Sequence, residues 1–296
     1  MALPTGKSFE PIVEEIKRDH EKANTQLKQI YDNEISDLTI QKKIEEAMIV
    51  KDEMQLVFRN AKLLRPIRKN GYFQMGEMGD GAGVVVRLTQ PFELGICEVT
   101  QGQWKSVMGS GQPPWVGKNG VQIGDAIAAS YVSWDEATEF CKKLTARERK
   151  SGTLKAGKEY RLPTEAQWEY ACRAGTETAF SFGDDPNQLG QYGWFDGNAK
   201  NGGQGFAHII RQKRPNRWGL FDMHGNVWEW CSDWYGEKLS GGTDPVGPNG
   251  GSFRVSRGGG WWSNPGLCRS AFRGYLVPSY RNNDVGFRVA RSQSAQ

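Results

Sequence analysis

"RGGGWWSNPGLCRSAFRGYLVPSYRNNDVGFRVAR", residues 257–291, carries six arginines and no lysine, and opens on three glycines and two adjacent tryptophans. Between its glycine- and arginine-rich ends, Leu267, Phe272, Tyr275, Leu276, Val277 and Tyr280 follow neither a helical nor a strand period, so no regular core demands them. Aromatics mixed with Ser, Gly and Asn are the palette of an adaptable binding surface. Two other readings stand beside that one: a loop that only packs on its own domain, and an active site built around Cys268.

The rest of the chain limits these choices. Its 296 residues suffice for one large core with a helical appendage. With 24% charged and 38% hydrophobic residues the composition is that of a globular chain. A formal charge of +4 gives no case for a nucleic-acid partner. No run approaches the ~20 apolar residues of a membrane span, and "MALPTGKSFEPIVEEIKRDHEK" lacks a leader pattern, so the expected setting is cytoplasmic, with no membrane partner. The five cysteines lie far apart without a C-x-x-C pair, which excludes the usual zinc ribbon, and their odd number argues against a complete disulfide framework. Thirty-seven glycines and 11 tryptophans point to a loop-rich domain pinned by buried indoles.

Composition changes near residue 70. Ile12, Val13, Ile16, Leu27, Ile30 and Tyr31 form one helical stripe; Leu38, Ile44, Met48, Leu56 and Val57 form another. "YDNEISD" (31–37) divides them, which predicts a two-helix hairpin within residues 1–70, the basic "RPIRKNGYF" (65–73) linking it to a domain over 71–296. The hairpin either packs on that domain or docks a partner or a second copy of the chain. Within the domain, "GVVVRLT" and "FELGICEVT" read as strands. Ser133 with Glu136, and Thr164 with Gln167, start two helices by the capping-box pattern, the second ending at Gly175. Residues 176–260 read as long irregular structure.

Five stretches, "LGICEVTQGQW" (94–104), "YVSWDEATEFC" (131–141), "YRLPTEAQWEYACRAG" (160–175), "WGLFDMHGNVWEWCSDWYG" (218–236) and the cassette 257–291, resemble in this order the formylglycine-generating enzyme (sulfatase-modifying factor) family. The resemblance covers about residues 71–291. It implies an α+β, C-type-lectin-like fold with much irregular structure and calcium-pinned loops, here preceded by the helical hairpin.

Fold alone does not give function. Catalytic members bind copper through two cysteines of the last motif; the second position is Cys268, but the first is Ser263, and one thiolate alone does not make a Cu(I) site. The resemblance therefore implies no copper and no catalytic residue here, leaving the oxidase as the alternative function. A related branch holds iron through histidines; His20, His208 and His224 have no metal-ligand neighbour at helical spacing. One family calcium takes an Asn or Asp side chain, two carbonyls and a Glu, which fall on Asp222, Gly225, Val227 and Glu229, a hard-oxygen set suited to Ca2+. The alternative is that Asp222 and Glu229 pair with a C-terminal arginine. A second family calcium site begins near Asn198 and Ala199.

The cassette also resembles that of the variable proteins of diversity-generating retroelements, bacterial or phage proteins in which a fixed frame carries diversified positions. The frame implied here is Arg257, Gly258, Gly259, Trp261, Pro265, Cys268, Arg269, Arg273, Pro278, Arg281 and Gly286-Phe287-Arg288. The ligand-facing positions implied are Trp262, Ser263, Asn264, Leu267, Phe272, Gly274, Tyr275, Leu276, Val277, Ser279, Tyr280, Asn282, Asn283 and Asp284. The expected partner is a protein or small molecule at this surface. An undiversified interaction domain of a signalling assembly is a further alternative.

Overall fold

Three capping boxes set where the helices begin. Ser133 and Glu136 exchange side chain-to-backbone hydrogen bonds at the start of Trp134–Lys150, and Thr164 with Gln167 does the same for Glu165–Arg173. A third box, Thr100 with Gln103, starts Gln101–Met108, a helix that the apolar run before it hides. In chain order these helices are α1 (101–108), α2 (134–150) and α3 (165–173). The computed structural model describes residues 64–67, 71–77, 83–109 and 111–293. The expected N-terminal hairpin lies outside the described residues.

The strands are β1 (Leu64–Ile67), β2 (Gly71–Met75), β3 (Val84–Leu88), β4 (Phe92–Gly95), β5 (Lys158–Arg161), β6 (Trp228–Trp234), β7 (Gly242–Thr243), β8 (Arg254–Arg257), β9 (Gly274–Leu276), β10 (Val285–Gly286) and β11 (Ala290–Gln293). They form three sheets, ordered β1–β4–β11–β5, β10–β6–β8–β9 and β2–β3–β7. Two sequence expectations change. Residues 64–67, placed above in a linker, pair antiparallel with β4, so the folded domain begins before residue 71. "FELGICEVT" is strand only to Gly95, because Thr100 is already an N-cap.

Of the span 176–260 expected to be irregular, residues 176–227 hold only short 3-10 turns at Pro186–Gln191 and Lys200–Gly202 and isolated bridges at Phe180–Gly183 and Ile209, whereas β6, β7 and β8 occupy parts of the rest. Of these, β6, "WEWCSDW", escaped the pattern search because its buried positions include Glu229 and Asp233 as well as Trp230 and Cys231. This strand positions the cassette. Its one side pairs antiparallel with β8, which leads in, and its other side pairs parallel with β10, which leads out. The chain from 258 to 284 is thus an excursion anchored at both ends on one strand, and β11 then closes the first sheet between β4 and β5.

The core is largely aromatic. Trp104 stacks on Phe140, and Phe287 meets both edge-on (5.3–6.1 Å between centroids), tying α1 and α2 to the end of the cassette. Trp230 donates its indole N–H to the carbonyl of Val132 at 2.8 Å, which satisfies a donor that burial would otherwise strand.

Candidate binding surface

Each of the six cassette arginines meets a glutamate outside the cassette. The pairs are Arg257–Glu169, Arg269–Glu77 (3.0 Å), Arg273–Glu165 (2.6 Å), Arg281–Glu136 (2.9 Å), Arg288–Glu229 (2.5 Å) and Arg291–Glu93 (2.6 Å). That is the physical reason for arginine without lysine: a planar guanidinium grips a carboxylate with two N–H groups and has donors left for carbonyls. Arg273 and Arg291 are bidentate on their partners. Arg257, fully buried, also donates to the carbonyls of Ser270, Ala271 and Phe272, so one side chain fixes three residues of irregular backbone. Arg288 reaches the carbonyls of Gly95 and Phe221. The hydrogen bond from Arg291 holds the Glu93 carboxyl below its usual range. Partial burial raises Glu136, but Arg281 and the Ser133 cap together bring it below the usual range.

The frame and the middle of the cassette divide by burial. Arg257, Gly258, Gly259, Trp261, Cys268 and Gly286-Phe287-Arg288 are buried, Pro265, Arg269, Arg273 and Pro278 of the frame are half-buried and Arg281 is exposed; Trp262, Asn264, Tyr275, Val277, Ser279 and Tyr280 are exposed. The adjacent tryptophans show the switch best. Trp261 is 3% exposed and donates its indole N–H to the carbonyl of Asn283; Trp262 is 56% exposed, with Lys200 Nζ over its ring at 4.1 Å. Tyr275 stands on β9 against Tyr235 (4.3 Å) and Phe253 (5.3 Å), two aromatics from outside the cassette. Leu267, Phe272, Leu276, Asn282, Asn283 and Asp284 are half-buried; Phe272 packs on Trp228, and Asn283 donates to the carbonyl of Gly120.

Two positions grouped with the ligand-facing set serve the scaffold instead. Ser263 is buried, and its hydroxyl accepts the backbone N–H of Gly260 at 2.9 Å while its carbonyl accepts that of Asp196. A short polar residue there turns the chain; it does not face solvent. At Gly274 a Cβ would come within 2.5 Å of the Ser256 hydroxyl and 2.8 Å of the Trp228 ring, so the close approach of β9 to β8 requires glycine. Cys268 is buried in a cluster with Phe180 and Leu189, and burial pushes its thiol pKa up, opposite to the shift that makes a thiolate reactive.

The loop 222–229 before β6 is a second convergence of polar groups. Gly225 faces the carbonyl of Trp194 so closely that a Cβ would lie 2.1 Å from it. Asn226, at φ 64°, is the hub that sequence reading missed. Its amide accepts from the His208 N–H at 2.8 Å and donates to Glu98 at 3.1 Å, and its backbone pairs with Trp194 and Trp261. The available signal was an asparagine beside glycine, since asparagine enters the left-handed region more readily than other side chains.

The carboxylates near this loop differ in commitment. Glu229 receives both Arg288 and the Trp168 indole N–H (2.7 Å), so pairing with a C-terminal arginine holds for Glu229. Asp222 accepts the Arg211 N–H with one oxygen (2.7 Å); its other oxygen, and one of Glu98, are buried without a hydrogen-bond partner among the described residues. Burial pushes Asp222 up to about 6 and Glu98 well above the carboxylate range. An open, buried carboxylate oxygen on Asp222 is chemistry that fits a hard cation. Among the described residues no group of three or more His, Cys, Asp and Glu side chains is arranged to hold a metal, so carbonyls such as those of Gly225 and Val227 would have to complete a set with Asp222 and Glu229.

Asn198, near the second family site, spends its amide within its own loop, accepting from Phe195 N–H and donating to the Gly193 carbonyl. The histidines are also structural. His224 donates Nδ1–H to the Cys268 carbonyl (2.9 Å) and accepts the Ser181 N–H at Nε2, and burial lowers its pKa to about 4. His208 stacks on Trp194 at 3.9 Å. His20 lies outside the described residues.

Three small sheets, few helices and loops held by buried polar pairs define a C-type-lectin-like domain. Residues 67–293 match the Sulfatase-modifying factor enzyme 1-like domain, and the chain belongs to that family. It is 36% identical over 174 residues to the formylglycine-generating enzyme of Streptomyces coelicolor, an alignment covering 54% of this chain and 51% of that one. The chain thus spans about half the length of that enzyme. Its fold is similar to that of Treponema denticola variable protein 1 (TM-score 0.66, 29% identity, 78% of this chain and 95% of that one). It is equally similar to PvdO from Pseudomonas aeruginosa (TM-score 0.66, 26% identity, 77% and 94%). No helix among the described residues is long and apolar enough to cross a membrane.

Proposed function

We propose that this domain is a binding module that displays the middle of its C-terminal cassette, as a variable protein diversified by a retroelement does. The observation that carries the reading is the burial split within 257–291: the ends of the frame, clamped by Arg257 and Arg288, lie inside, and aromatic and small polar residues of the middle lie outside. Likeness to a solved variable protein over most of its length supports it. The oxidase reading lacks its first thiolate, because Ser263 occupies that position and is spent on Gly260. The test is a paired library. Randomising Trp262, Asn264, Tyr275, Val277, Ser279 and Tyr280 should leave most members folded and yield binders, whereas randomising Arg257, Trp261, Arg273 and Arg288 should leave few folded. Equal folding losses in both libraries overturn the proposal. So does formylglycine formation on a Cys-x-Pro-x-Arg peptide with copper above a Cys268→Ser control. In the genome, the reading requires a nearby reverse transcriptase and an imperfect repeat of the DNA for 257–291 differing at adenines.

As part of the same reading, the loop takes one calcium ion, held by Asp222 and Glu229 with the carbonyls of Gly225 and Val227. The ion would neutralise Asp222, whose second oxygen is unpaired among the described residues, because Arg288 is already engaged by Glu229.

A further inference from the structure

A cleft of about 670 Å3 lies where the cassette meets the β2–β3–β7 sheet. Its volume is in the range of ligand pockets. Phe272 and Ala271 line one wall from the cassette; Val84, at the start of β3, and Leu239, just before β7, contribute apolar surface from outside it. The rim carries the Arg269–Glu77 pair and two exposed neighbours of opposite sign, Glu237 and Lys238, neither with an ion-pair partner among the described residues. A rim of balanced charge gives a polyanion no net attraction and suits an occupant with an apolar side chain and polar flanks.

The neighbouring element favours a peptide. Phe272 and Arg273 lead directly into β9, the edge strand of its sheet, paired on one side by β8. An edge strand presents backbone N–H and C=O groups that an extended segment can join. We infer that the domain binds an extended peptide segment of a partner protein along β9, with one apolar side chain in this cleft. Of the residues lining the cleft only Phe272 belongs to the diversified positions, the others, Val84, Lys238 and Leu239 among them, being fixed, so diversification tunes the fit without rebuilding the site. The inference rests on the display reading, and its test separates the two.

A phage library of random linear 12-residue peptides is selected against the full chain, and selected peptides are titrated against variants checked by melting. Leu239→Lys and Phe272→Lys should each weaken binding by ~30-fold or more, the loss expected of a buried anchor. Trp262→Ser, which does not line the cleft, should change it by less than ~3-fold, as a peripheral contact does. N-methylation of alternate peptide residues should weaken binding on one alternation only. If Leu239→Lys melts well below the parent, Lys238→Glu at an exposed position replaces it and should shift affinity by ~5-fold or more. Peptides lost on Trp262→Ser but indifferent to both cleft variants overturn the cleft and leave the display reading standing. A library without binders, or binders indifferent to all variants, also overturns the inference.

Discussion

The frame of the cassette and its middle are one stretch of chain under opposite physical regimes. At the two ends of the frame, the guanidinium groups of Arg257 and Arg288 are withdrawn from water and matched by a glutamate and by carbonyls of irregular backbone, while Arg269 and Arg281 pair with theirs at the surface. In the middle, Trp262 and Tyr275 stand more than half exposed, and the half-buried residues between them cover the scaffold only in part. Loops this long lack the hydrogen-bond ladders that hold helices and sheets, so their shape has to come from side chains. Concentrating those side chains in the frame leaves Trp262, Asn264, Val277, Ser279 and Tyr280 of the middle exposed, while Phe272 and Leu276 keep a share of the packing.

The largest expected effect breaks the frame. Arg257→Met leaves one oxygen of Glu169 and three carbonyls without their donor in the interior, although Glu169 keeps Arg173 and the Gly76 N–H on its other oxygen; removing one partner of a buried pair costs about 3–5 kcal/mol. Urea unfolding should show that loss; a change below ~1 kcal/mol, the size of an exposed ion pair, would remove the basis of the comparison. Nearly as large is the contrast between neighbours. Trp261→Ser should cost roughly 3–5 kcal/mol as a buried large-to-small change. Trp262→Ser should cost under ~1 kcal/mol, the worth of an exposed cation–π contact. Equal costs would mean that the cassette is packed throughout.

Asp233 sharpens the electrostatic side of the frame. Burial first, then the neighbouring charge of Glu165, raises its pKa from 3.8 to about 6. The folded state then holds its proton more tightly than the unfolded state. The contribution of Asp233 to stability is therefore fully present below pH ~4 and is lost as pH rises to ~6, by up to about 3 kcal/mol for a shift of this size. Asp233→Asn retains an acceptor for the Glu165 N–H, so the difference between parent and variant melting profiles should show that fall and then level off. Profiles that run parallel from pH 4 to 7 would contradict it.

Calcium comes next. At ~100-fold excess over Kd, an ion bound only by the folded state adds roughly 2.7 kcal/mol. Chelation should lower the melting temperature, and Asp222→Asn should abolish the shift. Glu229→Ala is the less clean variant, because it also strands Arg288. Identical melts with calcium and chelator in Asp222-intact protein count against the ion. The smallest effect is Tyr275→Asn, expected within ~0.5 kcal/mol as an exposed change. Phe272→Ser should cost more, about 1 kcal/mol, because Phe272 packs on Trp228.

What the sequence by itself determined is what neighbours in the chain decide. Ser133 with Glu136 and Thr164 with Gln167 act over three residues, so the starts of α2 and α3 were legible. The order of the motifs carried the family, and the resemblance of the cassette implied the frame. Other features only the tertiary structure decided. Arg288 finds Glu229 across 59 positions and Arg291 finds Glu93 across 198, and no local pattern says which glutamate each arginine will meet. Ser263 looked like its solvent-facing neighbours until the turn at Gly260 took its hydroxyl, and β6 hid because its interior holds Glu229 and Asp233. Burial of a polar residue becomes favourable only when a distant partner arrives, and that partner is supplied by the fold.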